Sequence, residues 1–133
     1  MKKVFSIILL VATTTLFAQE KKVGVLQFEE ETINYGIIAQ NSDGARSFTF
    51  TNTGDAPVVI EQVKGSCGCT VATKPSEPIL PGETATIAVK YDTNRVGGFS
   101  KTVTITSNAS ETKKVVRIKG NVMTNEQIAS LNE

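Results

Sequence analysis

From Val23 onward the chain is written in short segments of alternating apolar and polar residues, cut by turn residues at intervals of about ten positions. Side chains on a strand point to opposite faces with period two, so each segment reads as a strand with one face inward. Val23 to Phe28 opens the series and Thr32 to Ile38 follows an acidic turn, Glu29-Glu30-Glu31. In Arg46 to Asn52, Phe48 and Phe50 share one face, and Ser47, Thr49 and Thr51 take the other. Thr53-Gly54-Asp55 turns the chain into Pro57 to Val63, with Pro57 at a strand start, where a missing N–H is tolerated. Pro81-Gly82 leads into Thr84 to Tyr91, where Ala85, Ile87, Val89 and Tyr91 face one way. After a polar loop from Asp92 to Gly98, Phe99, Val103 and Ile105 alternate with Ser100, Thr102, Thr104 and Thr106. Lys113 to Val122 ends the series, with Val116, Ile118 and Val122 inward and Val115, Arg117 and Lys119 outward.

Strands at this spacing, with threonine-rich outer faces and no long helical period, predict an all-β antiparallel sandwich of seven to eight strands. The expected core is Phe48, Phe50, Ile60, Ile87, Val89, Val103, Ile105, Val116 and Ile118. Residues 19–122 form the expected domain, and residues 123–133 a short tail. In that tail Thr124 and Gln127 have the spacing of a helix cap, with Ile128 and Leu131 on one face.

The first eighteen residues break the pattern. Lys2 and Lys3 precede an uncharged, mostly apolar run from Val4 to Phe17, and Ala18 supplies a small residue before Gln19. Fourteen residues fall short of the ~20 that a spanning helix needs, so residues 1–18 predict a cleaved signal peptide. No cysteine follows the run to accept a lipid, and no membrane insertion is expected after cleavage. The expected location is the periplasm or the secreted fraction. Of 133 residues, 115 would remain, enough for one domain. Lys2 and Lys3 leave with the signal, so fourteen basic residues become twelve, against thirteen acidic ones. That balance gives no electrostatic case for nucleic acid. Lys113, Lys114, Arg117 and Lys119 form a local basic patch that a solvated strand face explains equally well.

Histidine is absent, which removes His-based hydrolase triads and His-ligated metal centres. Gly97-Gly98 lacks the Lys and Ser/Thr of a phosphate loop. The expectation is a non-enzyme without a cofactor.

Candidate chemistry gathers at Ser66-Cys67-Gly68-Cys69-Thr70, which holds the two cysteines of the chain. Three readings stand side by side. The first is a Cys67–Cys69 disulfide. Two residues of extended chain span roughly 6.6 Å, whereas bridged Cα atoms sit about 5.5–6 Å apart, so the backbone must bend, and glycine at position 68 permits that. A loop so small gains little denatured-state entropy, making the bridge a weak staple. The second reading is a soft-metal clip in which two thiolates hold Cu(I). In the third, Cys67, Cys69 and Val71 share strand parity and face the core as small apolar side chains.

Phe48-Thr49-Phe50-Thr51-Asn52-Thr53-Gly54, the Cys-Gly-Cys-Thr element, Pro81-Gly82-Glu83 and Tyr91-Asp92-Thr93 together resemble the bacterial family called domain of unknown function 1573. The likeness runs from about Leu26 to Val122. It implies an immunoglobulin-like fold related to the Hydin and major-sperm-protein domains, and an extracytoplasmic setting, without supplying a mechanism. Two function classes follow. One is a non-catalytic binding or adaptor module for another extracytoplasmic protein or peptide, held at a sheet edge or loops. The other is a thiol redox or Cu(I)-handling protein acting through Cys67 and Cys69.

Overall fold

The computed structural model describes residue 18 and residues 20–133, so residues 1–17 of the expected signal segment and the mature start at Gln19 lie outside the described residues. Eight strands follow in order: β1 (Leu26–Phe28), β2 (Thr32–Ala39), β3 (Ala45–Asn52), β4 (Ile60–Gly65), β5 (Thr70–Thr73), β6 (Thr84–Tyr91), β7 (Gly97–Ser107) and β8 (Lys113–Met123). A helix, α1 (Asn125–Leu131), closes the chain. The strands form two sheets of four, ordered β1-β3-β6-β5 and β2-β8-β7-β4.

Every residue expected in the core is buried: Phe48, Phe50, Ile60, Ile87, Val89, Val103, Ile105, Val116 and Ile118 line the space between the sheets. Tyr91, Phe99 and Val122 join them. Burying one such large apolar side chain contributes roughly 1.5–3 kcal/mol. The alternating patterns of β3 and β6 meet in one register, with Phe48 opposite Ile87 and Phe50 opposite Ala85. Pairing is antiparallel throughout the first sheet and in β4–β7 and β7–β8. The departure is β2, which lies parallel to β8. Chain alternation carries no record of strand direction, so this exception to an antiparallel sandwich could not be read from periodicity.

Gly36 sits at φ +65°, its N–H donating to Asn34 Oδ1 at 2.9 Å, where the β2–β8 register slips between Asn34 and Ile37. That bulge turns Ile37 out to solvent. Other boundaries also move. Val23–Val25 and Pro57–Val59 lie outside the strands, although Val58 makes an isolated bridge to Ile79. Gly97 and Gly98, expected in the polar loop, pair with Val122 and Asn121 as the start of β7.

Candidate functional site at the crossover between the sheets

Only a few residues separate β4, at the edge of the second sheet, from β5, at the edge of the first. The Cys-Gly-Cys element occupies that crossover. Ser66 still belongs to the second sheet, its N–H donating to Thr102 C=O at 2.9 Å while its Oγ accepts from Thr102 N–H at 3.2 Å. Cys69 already belongs to the first, its C=O accepting from Asp92 N–H at 2.9 Å. Cys67 and Gly68 therefore make the whole change of sheet. A turn closes over them, with Thr70 N–H donating to Cys67 C=O at 3.3 Å. The strands approach so closely that a Cβ on Gly65 would stand 2.6 Å from Thr70 O.

The two sulfurs are in bonding contact and the Cα atoms are 5.2 Å apart, within the range that a bridge spans. The two side chains differ in access. Cys69 is 2% exposed, and Cys67 is half-buried against the rim of the core. Cys69 N–H donates to Cys67 Sγ at 3.3 Å. Thr70 Oγ1 lies 3.9 Å from each sulfur. Beside the crossover is a cavity of about 300 Å³ lined by Gly68, Cys69, Val71, Lys90, Tyr91, Asp92 and Asn94. Tyr91 is itself part of the core, its ring stacked on Phe99 with centroids 3.8 Å apart. Burial raises the Tyr91 hydroxyl pKa above its ordinary value, with Arg95 opposing and Asp92 reinforcing.

Two sequence expectations need correction here. Glycine was expected at position 68 to supply the bend, yet Gly68 is not among the glycines with positive φ, and an added Cβ there would meet nothing within 4 Å. The turn is one that ordinary residues adopt. The third of the three readings, by strand parity, places Val71 beside the cysteines in the core. Val71 is 63% exposed, and Thr70 and Ala72 point inward instead, because the turn rotates the chain before β5 begins. Gly65 and Lys90 carry no signal in the sequence, and Thr70 stands there only as the last residue of the motif, without a role. The Thr after Cys-Gly-Cys was the nearest available signal. No group of three or more His, Cys, Asp or Glu suited to a metal occurs among the described residues. The basic patch is divided: Lys114 is taken up by Glu31 at 2.6 Å and Glu111 at 3.7 Å, whereas Lys113, Arg117 and Lys119 face solvent.

Among the described residues, β4 and β5 also leave their outer edges without a strand partner. Because the Cys69–Asp92 position is hydrogen-bonded, alternation along an antiparallel ladder turns the N–H and C=O of Thr70 and Ala72 away from β6. Between the two edges runs a groove of about 340 Å³ lined by Glu61, Gln62, Val63, Ala72, Thr73 and Lys74. Lys74 Nζ spans it to Glu61 C=O at 2.9 Å.

The family described as "Protein of unknown function (DUF1573)" matches residues 26–122. The chain belongs to this family. No curated protein matches the sequence. Among solved structures, it is similar to a protein of unknown function from Porphyromonas gingivalis W83, at 14% identity and TM-score 0.67, covering 80% of this chain and 51% of that one. The chain thus spans about half the length of that protein. It is similar to PapD-like domain 7 of human CEP192, at 10% identity and TM-score 0.56, covering 85% of this chain and 96% of that one. It is also similar to the CsuC–CsuE chaperone–tip adhesion subunit pre-assembly complex of Acinetobacter baumannii Csu pili, at 11% identity and TM-score 0.53, covering 84% and 66%. At these identities the likeness establishes the fold: this DUF1573 chain is an immunoglobulin-like β-sandwich with PapD-like neighbours.

Proposed function

We infer that this chain is a non-catalytic, extracytoplasmic adaptor that captures a partner polypeptide by strand pairing at the β5 edge. The observation that carries this reading is the backbone of Ala72, whose N–H and C=O point out of the sheet into an open groove. Main-chain groups of that kind supply affinity when an extended peptide adds to a sheet. Left without a partner, they are a liability that folded proteins ordinarily cover or charge. The A. baumannii relative in fold is a chaperone in complex with a subunit, which agrees with a protein-binding use of this sandwich. The extracytoplasmic setting rests on the Lys2-Lys3 and Val4–Phe17 pattern.

The test is a capture experiment on the protein prepared from its periplasmic or secreted fraction, with amide exchange read on the captured complex. Wild type and a Cys67→Ser/Cys69→Ser variant are expected to hold the same partner and to slow exchange at Ala72. Ala72→Pro, which removes the outward donor, is expected to lose it. A partner retained by Ala72→Pro, or released by the double serine variant, overturns the reading, as does absence of the protein from those fractions.

A further inference from the structure

Beyond partner capture, we propose that Cys67 and Cys69 form a disulfide that is passed to the dithiol of a polypeptide, with Cys67 as the sulfur attacked. Three features of the crossover support it. First, the two sulfurs are unequally accessible: Cys67 is half-buried, whereas Cys69 is 2% exposed. An attacking thiolate approaches along the S–S axis, and of the two residues Cys67 is the more exposed to it. Second, polar groups are in place for both departing sulfurs. Cys69 N–H already points at Cys67 Sγ from 3.3 Å, and the Thr70 hydroxyl lies 3.9 Å from both. Third, a cavity of about 300 Å³ meets the crossover at Gly68 and Cys69, the two residues that follow Cys67, and offers room for a partner's side chains. Lys90 and Asp92 line that cavity with opposite charges, and exposed Val71 adds an apolar contact.

The exchange balances without another reagent. The first thiolate of the partner forms a bond to Cys67 Sγ. The Cys67–Cys69 bond breaks, and its electron pair leaves on Cys69 Sγ, which takes up a proton. The partner's second thiol, once deprotonated, attacks the partner sulfur of that mixed disulfide, and Cys67 leaves as a thiolate and is protonated. The partner dithiol is oxidised by two electrons, and this pair is reduced by two. The closed loop holds only Cys67 to Cys69, so reduction removes little constraint from the unfolded chain and the sandwich persists in both states.

The experiment mixes the oxidised protein, under native conditions, with a synthetic peptide carrying two thiols and, in a parallel arm, with reduced glutathione. Both reactions are quenched with acid, alkylated and read by peptide mass spectrometry. The dithiol peptide is expected to become a disulfide with two new thiols on the protein. Glutathione is expected to be trapped on Cys67. In single variants, the lone Cys67 of Cys69→Ser should alkylate at least about tenfold faster than the lone Cys69 of Cys67→Ser. The wild-type trapping needs no variant, so poor folding of a serine form leaves the test intact. Glutathione found on Cys69, exchange seen only after unfolding, or two free thiols that do not pair under air overturns the proposal. Partner capture by the double serine variant is a separate readout, so either reading can fail alone.

Discussion

A cysteine pair two residues apart needs a bend, and Gly68 stands where the bend must be. The chain turns there without entering the left-handed region, held by Thr70 N–H on Cys67 C=O. The glycine is therefore dispensable for geometry. Gly68→Ala should change stability by less than about 0.5 kcal/mol, and thiol titration should find the same cysteine state as in wild type. A loss of clearly more than that on thermal melting would show that the turn depends on glycine after all. Asn52 is the opposite case. It is fully buried at the far end of β3 from the cysteines, and it lies on the same strand face as Phe48 and Phe50. Its Nδ2 donates to Ala56 C=O at 2.8 Å and Ile79 C=O at 2.9 Å. Its Oδ1 accepts from Val25 N–H at 3.2 Å and Gly54 N–H at 3.0 Å. One side chain thus ties three connecting segments together. Stranding a buried polar group costs roughly 1–3 kcal/mol, so Asn52→Ala should lower unfolding free energy by about 3 kcal/mol or more. A denaturant midpoint within error of wild type would contradict this accounting.

At the scale of elements, legibility followed the strength of the alternation. Thr84 to Tyr91 has the bounds of β6, and the readings of β3, β7 and β8 lie within a residue or two, because β6, β7 and β8 each carry three or more inward apolar residues at period two and β3 carries Phe48 and Phe50. β5 carries no strand signal of its own in the sequence. Four residues hold too little pattern, and its inward side chains are Thr70 and Ala72, neither of which announces a core. The parity that linked Cys69 to Val71 failed because a hydrogen-bonded turn intervenes. The cysteine pair was legible as a site from composition, but its unequal burial came only from packing. The tail was legible through its cap. Thr124 accepts from Gln127 N–H at 3.2 Å, and Gln127 Oε1 accepts from Thr124 N–H at 2.9 Å. Seven residues with none buried make a helix that depends on that cap. Thr124→Ala should cost α1 about 1 kcal/mol, seen as loss of helical chemical shifts over Asn125–Leu131. The melting of the sandwich should not move, and a matching drop in its midpoint would mean that the tail supports the domain.

At the scale of the whole molecule, three titrating groups sit where the sheets are joined. Tyr35 is buried, donates its hydroxyl to Gly44 C=O at 2.8 Å and lies under the Arg46 guanidinium at 4.3 Å. Burial raises its pKa, against the pull of Arg46. Tyr91 is raised above its ordinary value for the same cause. Lys114 is raised chiefly by its hydrogen bond to Glu31, which ties β8 to the turn where the chain leaves β1 for β2. In all three the folded state holds its proton more tightly than the unfolded chain does. Their contribution is complete below the unfolded values, 10.0 for tyrosine and 10.5 for lysine, and is lost as pH rises through the higher folded values. Stability should therefore stay level near neutrality and fall above about pH 10. The loss combines a buried phenolate at each tyrosine with a lysine that no longer carries the charge Glu31 holds. Urea midpoints measured between about pH 8 and pH 12 check this. A Glu31→Gln variant should show a shallower alkaline decline, because the largest cause of the Lys114 shift is gone. Midpoints that hold level or rise across that range would mean that these groups titrate alike in the folded and unfolded chain, and that the joins between the sheets draw nothing from their protonation.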